Sequence, residues 1–183
     1  MKQLIHGELK YDHLIGLEFD HGTRDCYEML RSIFKYNLDI DLSPYARPDD
    51  WWIQGMNLYQ ENFHKEGFSV VDILPDMSNL RILDVPLIGL PDARSPAKTV
   101  TNHCAIYVGN GKIIHHRPGK LSQEIRYAGL YKNCTTCVVR HKDVPDLLPK
   151  DFKTLDVLDY ILPHKRELIM RALNDRNSTE AKD

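Results

Sequence analysis

The sequence predicts an α+β fold, not an alternating α/β one. Helical patterns come first, short β-branched runs cluster in the middle, and helical patterns return after residue 147. No glycine-rich phosphate loop or dinucleotide fingerprint interrupts that order.

The first helix is the best marked. In "HGTRDCYEMLRSIFKYN", Met29, Leu30, Ile33 and Phe34 recur at helical spacing, with Cys26 on the same stripe. Asp25 suits the N-cap, and Glu28 three residues on completes a capping-box pattern. Cys26 therefore falls in the first turn and faces inward. Residues 39–48 read as a proline-bearing loop, and 49–67 as a second helix capped by Asp49 or Asp50 and stopped by Gly67. "FSVVDIL" reads as a strand, and "NLRILDVPLIGL" holds another, broken by Pro86. Residues 91–101 are turn-rich. A hairpin follows in "NHCAIYVGNGKIIHH", and "CTTCVVRH" is one more strand. Residues 1–146 form the expected catalytic domain, and 147–183 a helical extension with a polar tail.

The 183 residues carry a net charge of −2, which leaves no basic excess for a dedicated nucleic-acid binder. No apolar run reaches membrane-spanning length, so no membrane insertion is expected. The N-terminal stretch has no signal-peptide core, which places synthesis in a cytoplasm. Four irregularly spaced cysteines then point to free or catalytic thiols before a disulfide framework.

Cys26 and the hairpin histidines complement each other chemically. A helix N-terminus favours a thiolate, and its first-turn N–H groups offer an oxyanion site. An imidazole in reach takes the thiol proton, and a third polar group orients that imidazole. His103 opens the hairpin; His115 and His116 close it. If Gly109-Asn110-Gly111 is a three-residue loop, Val108 faces Lys112 and Ala105 faces His115. His103 and His115 then share a face, about 7–8 Å apart between Cα atoms. A two-residue turn would shift the register and bring His116 there instead. The three-residue loop is preferred, because a flanking glycine suits a bulge-type turn.

"RDCYEMLRSIF" and "NHCAIYVGNGKIIHH" together resemble the NlpC/P60 cysteine peptidases. Those open a helix with Asp-Cys and carry a His-x-x-Ile-Tyr-x-Gly-Asn-Gly-Lys-x-Ile-His hairpin. The resemblance implies a papain-like fold with the cysteine helix packed on a small antiparallel sheet. It implies Cys26 as nucleophile, His103 as base and His115 as the orienting residue, without cofactor or metal. Its implied substrates are peptidoglycan stem peptides. The lead-in "HGTRDCYEMLRSIFKYNLDIDLSPYARPDDWW" resembles the members attached to tailed-phage tail assembly proteins, which implies other tail proteins as partners and a place in the virion tail. Two departures stand out. The Ser-Gly usual after the cysteine is Tyr27-Glu28. A tyrosine expected upstream falls near Phe19, which leaves the backbone or another group, such as Tyr11 or His21, to serve the oxyanion.

Three other readings compete. The hairpin also resembles that of lecithin–retinol acyltransferase relatives, with Asn133-Cys134 as the later Asn-Cys pair, though a strand-like run follows Cys134. Cys134 and Cys137 form a CxxC without a second pair at zinc spacing. A non-catalytic tail-tip subunit could keep the same fold. Trp51-Trp52 marks a partner surface, a substrate groove or core.

Overall fold

The computed structural model describes residues 9–72, 79–94 and 100–145, all within the first of the chain's two units, Met1–Asp151. The expected extension over 147–183 lies outside the described residues. The architecture is α+β. Helix α1 (Cys26–Leu38) precedes a short α2 (Leu58–Asn62). Strands β1 (Phe68–Asp72), β2 (Val85–Ile88), β3 (His103–Cys104), β4 (Ile106–Gly109), β5 (Lys112–His115) and β6 (Gln123–Arg126) follow. A short α3 (Gly129–Asn133) leads into β7 (Thr135–His141). Two antiparallel sheets result, ordered β1-β7-β2-β3 and β4-β5-β6.

Helix α1 forms as its sequence dictates. Its apolar stripe buries Met29, Leu30, Ile33 and Phe34, the last two fully. Each such side chain contributes roughly 1.5–3 kcal/mol on leaving water. The Asp25 side chain caps the helix, accepting from the N–H groups of Tyr27 and Glu28 at 3.0 Å each. Glu28 does not return the favour as a capping box would. Its carboxylate accepts from Arg31 at 2.7 Å and Arg47 at 3.1 Å.

The expected second helix over 49–67 does not form as one piece. Residues 49–55 are turns, with Asp50 and Gly55 in the left-handed region, and α2 begins only at Leu58. Two residues with positive φ cannot sit inside a right-handed helix. Trp51 leaves the helical path to reach the core, where it packs against Tyr59.

Pro86 sits inside β2, paired with Val138 of β7. Its carbonyl accepts from Ala105 N–H on the other side, so its missing donor faces the same way, where β3 has already ended. The proline thus marks where the first sheet stops and the second begins. Behind it, the buried Asp84 takes two hydrogen bonds from Arg140 of β7, at 2.6 and 2.7 Å. Strand β6 and helix α3 were not anticipated from sequence.

The hairpin turn differs from expectation, with a compensating detail. Gly109 pairs with Lys112, so the loop is the two residues Asn110-Gly111, both with positive φ as a type I′ turn requires. A two-residue turn alone would bring His116 round. However, Val108 is bulged out of the pairing, and Gly109 takes φ 91° to allow it. Beyond the bulge, Tyr107 faces Ile113 and Ile106 faces Ile114. That is the register the three-residue loop would have produced. Gly109→Ala should therefore cost about 1–3 kcal/mol, read as a lower urea midpoint, whereas Lys112→Ala at the exposed neighbouring position should change it little.

Candidate active site

Cys26 stands at the first position of α1 because Asp25 caps there, and Asp25 is itself held. Its carboxylate also accepts from Gly22 N–H at 2.8 Å and from Arg47 at 2.9 and 3.1 Å. Asp25 and Arg47 are 3% and 5% exposed, so this is a buried ion pair with its lone pairs satisfied.

The structure brings the three sequence-predicted residues together. His103 Nε2 lies 3.2 Å from His115 Nδ1, with the rings edge to face. His103 lines the same cleft as Cys26 and favours its thiolate electrostatically. All three residues are buried. His116 turns elsewhere and packs edge-on against Phe19.

Two further groups contact the thiol that sequence reasoning missed. Tyr59 Oη of α2 lies 3.1 Å from Cys26 Sγ. The Cys104 thiol, next in the chain to His103, is buried beside it and acts on Cys26 electrostatically. Cys104 draws the Cys26 thiol well below its ordinary range, against the opposing effect of burial, and His103 and Tyr59 add to it. Burial pushes the Cys104 thiol and the Tyr59 hydroxyl well up, so both stay protonated and able to donate. Cys104 was legible only as a strand residue, and nothing local tied Tyr59 to a cysteine 33 residues away.

The groups named earlier as hydroxyl substitutes are engaged elsewhere. Tyr11 donates to Glu124, and the His21 ring bonds the Arg47 carbonyl at 2.8 Å. The oxyanion site also narrows. Of the first-turn donors, those of Tyr27 and Glu28 serve Asp25, leaving the N–H of Cys26 itself.

His115 is held from two other sides. Gln123 Nε2 of β6 lies 3.2 Å from its Nε2. Tyr131 of α3 packs edge-on at 4.6 Å between centroids, its hydroxyl accepting from Arg117 at 3.1 Å. Burial, helped by nearby His103 and Arg117, pushes His115 down to about 3. It is a neutral ring at working pH.

Cys26 and His103 open onto a cleft of about 570 Å³, walled by Phe19, Trp52, Tyr59 and Arg117. That volume suits a small peptide or ligand of similar size. Trp52 lies on the wall, where its indole N–H donates to Asp92 at 2.9 Å, while Trp51 is core. Among the described residues, no three His, Cys, Asp or Glu gather where they could hold a metal ion. Cys134 caps the C-terminal end of α3 and Cys137 lies buried in β7. Among the described residues, no helix is long and apolar enough to cross a membrane.

A thiol at a helix start, near an imidazole that meets a second imidazole, is the arrangement that a nucleophile–base–orienter set requires. Similarity to known proteins is more particular. The chain is 35% identical over 138 residues to tail tip assembly protein K of Escherichia phage lambda, covering 75% of this chain and 64% of that protein. It is 29% identical over 133 residues to tail tip assembly protein K of Escherichia phage N15, covering 72% of this chain and 50% of that protein. The chain thus spans less than two thirds of either relative. No family model matches it.

Tyr59→Phe should raise the pH at which Cys26 becomes reactive toward iodoacetamide, followed by mass spectrometry of the Cys26 peptide; an unchanged profile would show that the hydroxyl is inert. His115 gives a second expectation. Its folded value of about 3 lies below the ordinary 6.5, so in that window the unfolded chain binds a proton that the folded chain refuses. Stability is full above the upper value and falls as pH drops through the window. Urea midpoints against pH should show this acid limb, and His115→Gln should flatten it.

Proposed function

We propose that this chain is a tail-tip component of a tailed phage carrying a thiol endopeptidase site of the NlpC/P60 kind, directed at peptidoglycan stem peptides. The observation that carries the catalytic half is the linked set itself: the Cys26 thiol, drawn toward thiolate, beside a His103 whose far nitrogen meets His115 at 3.2 Å. The names of the two relatives support the tail half, including other tail proteins as partners and a place in the virion tail.

The chemistry follows from the geometry. The Cys26 thiolate attacks the scissile carbonyl carbon, and the carbonyl π pair moves onto oxygen, toward the Cys26 N–H. His103, carrying the proton taken from the thiol, gives it to the departing amine as the C–N bond breaks. A thioester remains. Water attacks it as His103 accepts a proton, the C–S bond breaks, and the carboxylic acid leaves. Nothing in this cycle needs a metal or cofactor.

A second reading has one specific observation in its favour: both relatives are named for assembly, not hydrolysis. On that reading the chain is a structural tail-tip subunit that keeps the fold without turnover. The acyltransferase reading is weaker. It needs Cys134 at the start of a helix, whereas Cys134 stands at the end of α3.

Purified protein should release soluble fragments from cell-wall peptides. Cys26→Ser and His103→Ala should each lower that rate by about a thousandfold or more without altering the circular dichroism spectrum, while Cys134→Ser should leave it unchanged. Should the wild type cleave no wall peptide, yet tails fail to form without it and form normally with Cys26→Ser, the structural reading stands.

A further inference from the structure

The linked imidazoles meet through named nitrogens, and this decides which proton each ring can carry. His103 gives its Nε2 to His115, so Nδ1 is the nitrogen left for Cys26. To take the thiol proton, Nδ1 must be bare. Neutral His103 then carries its hydrogen on Nε2 and donates it to His115 Nδ1. His115 accepts there, and being neutral it carries its own hydrogen on Nε2. That N–H points at the Gln123 amide, 3.2 Å away.

Only an oxygen can accept it. With the amide nitrogen in that place, as the structure shows it, the sequence of donors runs backwards. His115 Nδ1–H donates to His103 Nε2, and the His103 hydrogen is forced onto Nδ1, facing the sulfur. That ring cannot act as a base. A primary amide exchanges oxygen for nitrogen by a half-turn at its end.

The placement of Gln123 is built into the sheet. It is the direct cross-strand partner of His115 between β5 and β6, so its side chain emerges on the same face. Tyr131 blocks the other side of the His115 ring.

We propose that Gln123 is a positioning residue: its amide oxygen, turned to His115 Nε2, selects the tautomer that leaves His103 Nδ1 free to take the Cys26 proton. This inference rests on Cys26 as the nucleophile. The titratable and charged groups facing the set are Asp25 and Arg47 at the helix cap, Tyr59 of α2, Cys104 of β3, and Arg117, His116 and Tyr131 beside His115. None of these contacts His115 Nε2 in place of Gln123 among the described residues.

Nitrogen NMR of the full chain with labelled histidine reads the tautomer directly, the His115 signals being assigned by their loss in His115→Gln. The expected result is a neutral His115 with hydrogen on Nε2. Gln123→Glu, whose carboxylate only accepts, should keep that tautomer and the rate of Cys26 alkylation. Gln123→Leu should mix the tautomers and slow Cys26 alkylation and wall-peptide turnover by about tenfold, with KM within about twofold. Hydrogen on Nδ1 in the wild type overturns the proposal, even if wall peptides are cleaved. So does a Gln123→Leu protein that keeps both tautomer and rate. If no peptide is cleaved yet the tautomer and alkylation follow expectation, the peptidase reading fails and the role of Gln123 stands.

Discussion

One buried carboxylate organises the functional half of the molecule. Asp25 accepts from the N–H groups of Gly22, Tyr27 and Glu28 and from the Arg47 guanidinium. Those donors come from the lead-in, from α1 and from the loop that follows it. A carboxylate cannot be buried without such donors, and each donor it recruits is thereby fixed in place. Cys26 is next in the chain, so its position is inherited from this single group. Arg47 extends the effect, lying 4.8 Å over the Tyr27 ring and bonding Glu28. The cap has a chemical side effect too: it uses the donors that an oxyanion would otherwise find in the first turn.

Around the thiol, burial works in two directions. It opposes ionisation of Cys26, yet it keeps Cys104 and Tyr59 protonated, and both favour the thiolate, Tyr59 through a hydrogen bond at 3.1 Å. The donors win because they are close and dry. His115 obeys the same rule, since exclusion of water keeps it neutral and so able to act as a spacer between Gln123 and His103. The wall of the cleft shows a different economy. There Arg94 pairs with Asp50 and Asp92 on open surface, where such pairs hold shape more than they add stability.

What could be read in advance divides along the range of the interaction. The start of α1 was legible because a cap and an apolar stripe are local, and the observed helix buries that stripe. Strand β7 was legible from its β-branched run. The stretch after Asp49 was not, because Trp51 is drawn out of a helical path by a core assembled from distant residues. Strand β6, whose side chains are half-buried or exposed, had no hydrophobic alternation to announce it. Among the residues of the site, Cys26, His103 and His115 carried types and spacing that pointed to chemistry. Tyr59, Cys104 and Gln123 did not, for an aromatic, a strand cysteine and a surface-pattern glutamine acquire meaning only when the chain folds back on itself.

The hairpin adds a lesson about counting. Adjacent histidines point to opposite faces of a strand, so which one meets His103 depends on whether the residues between them and the base are odd or even in effective number. The bulged Val108 is what sets that parity. Chemical identity at the tip is therefore free to drift so long as the left-handed turn is kept. Register is not: the same residues paired without the bulge would exchange His115 for His116 without touching either. The doublet is thus a frame-sensitive element, and its reading frame is written in a bulge, not in the histidines themselves.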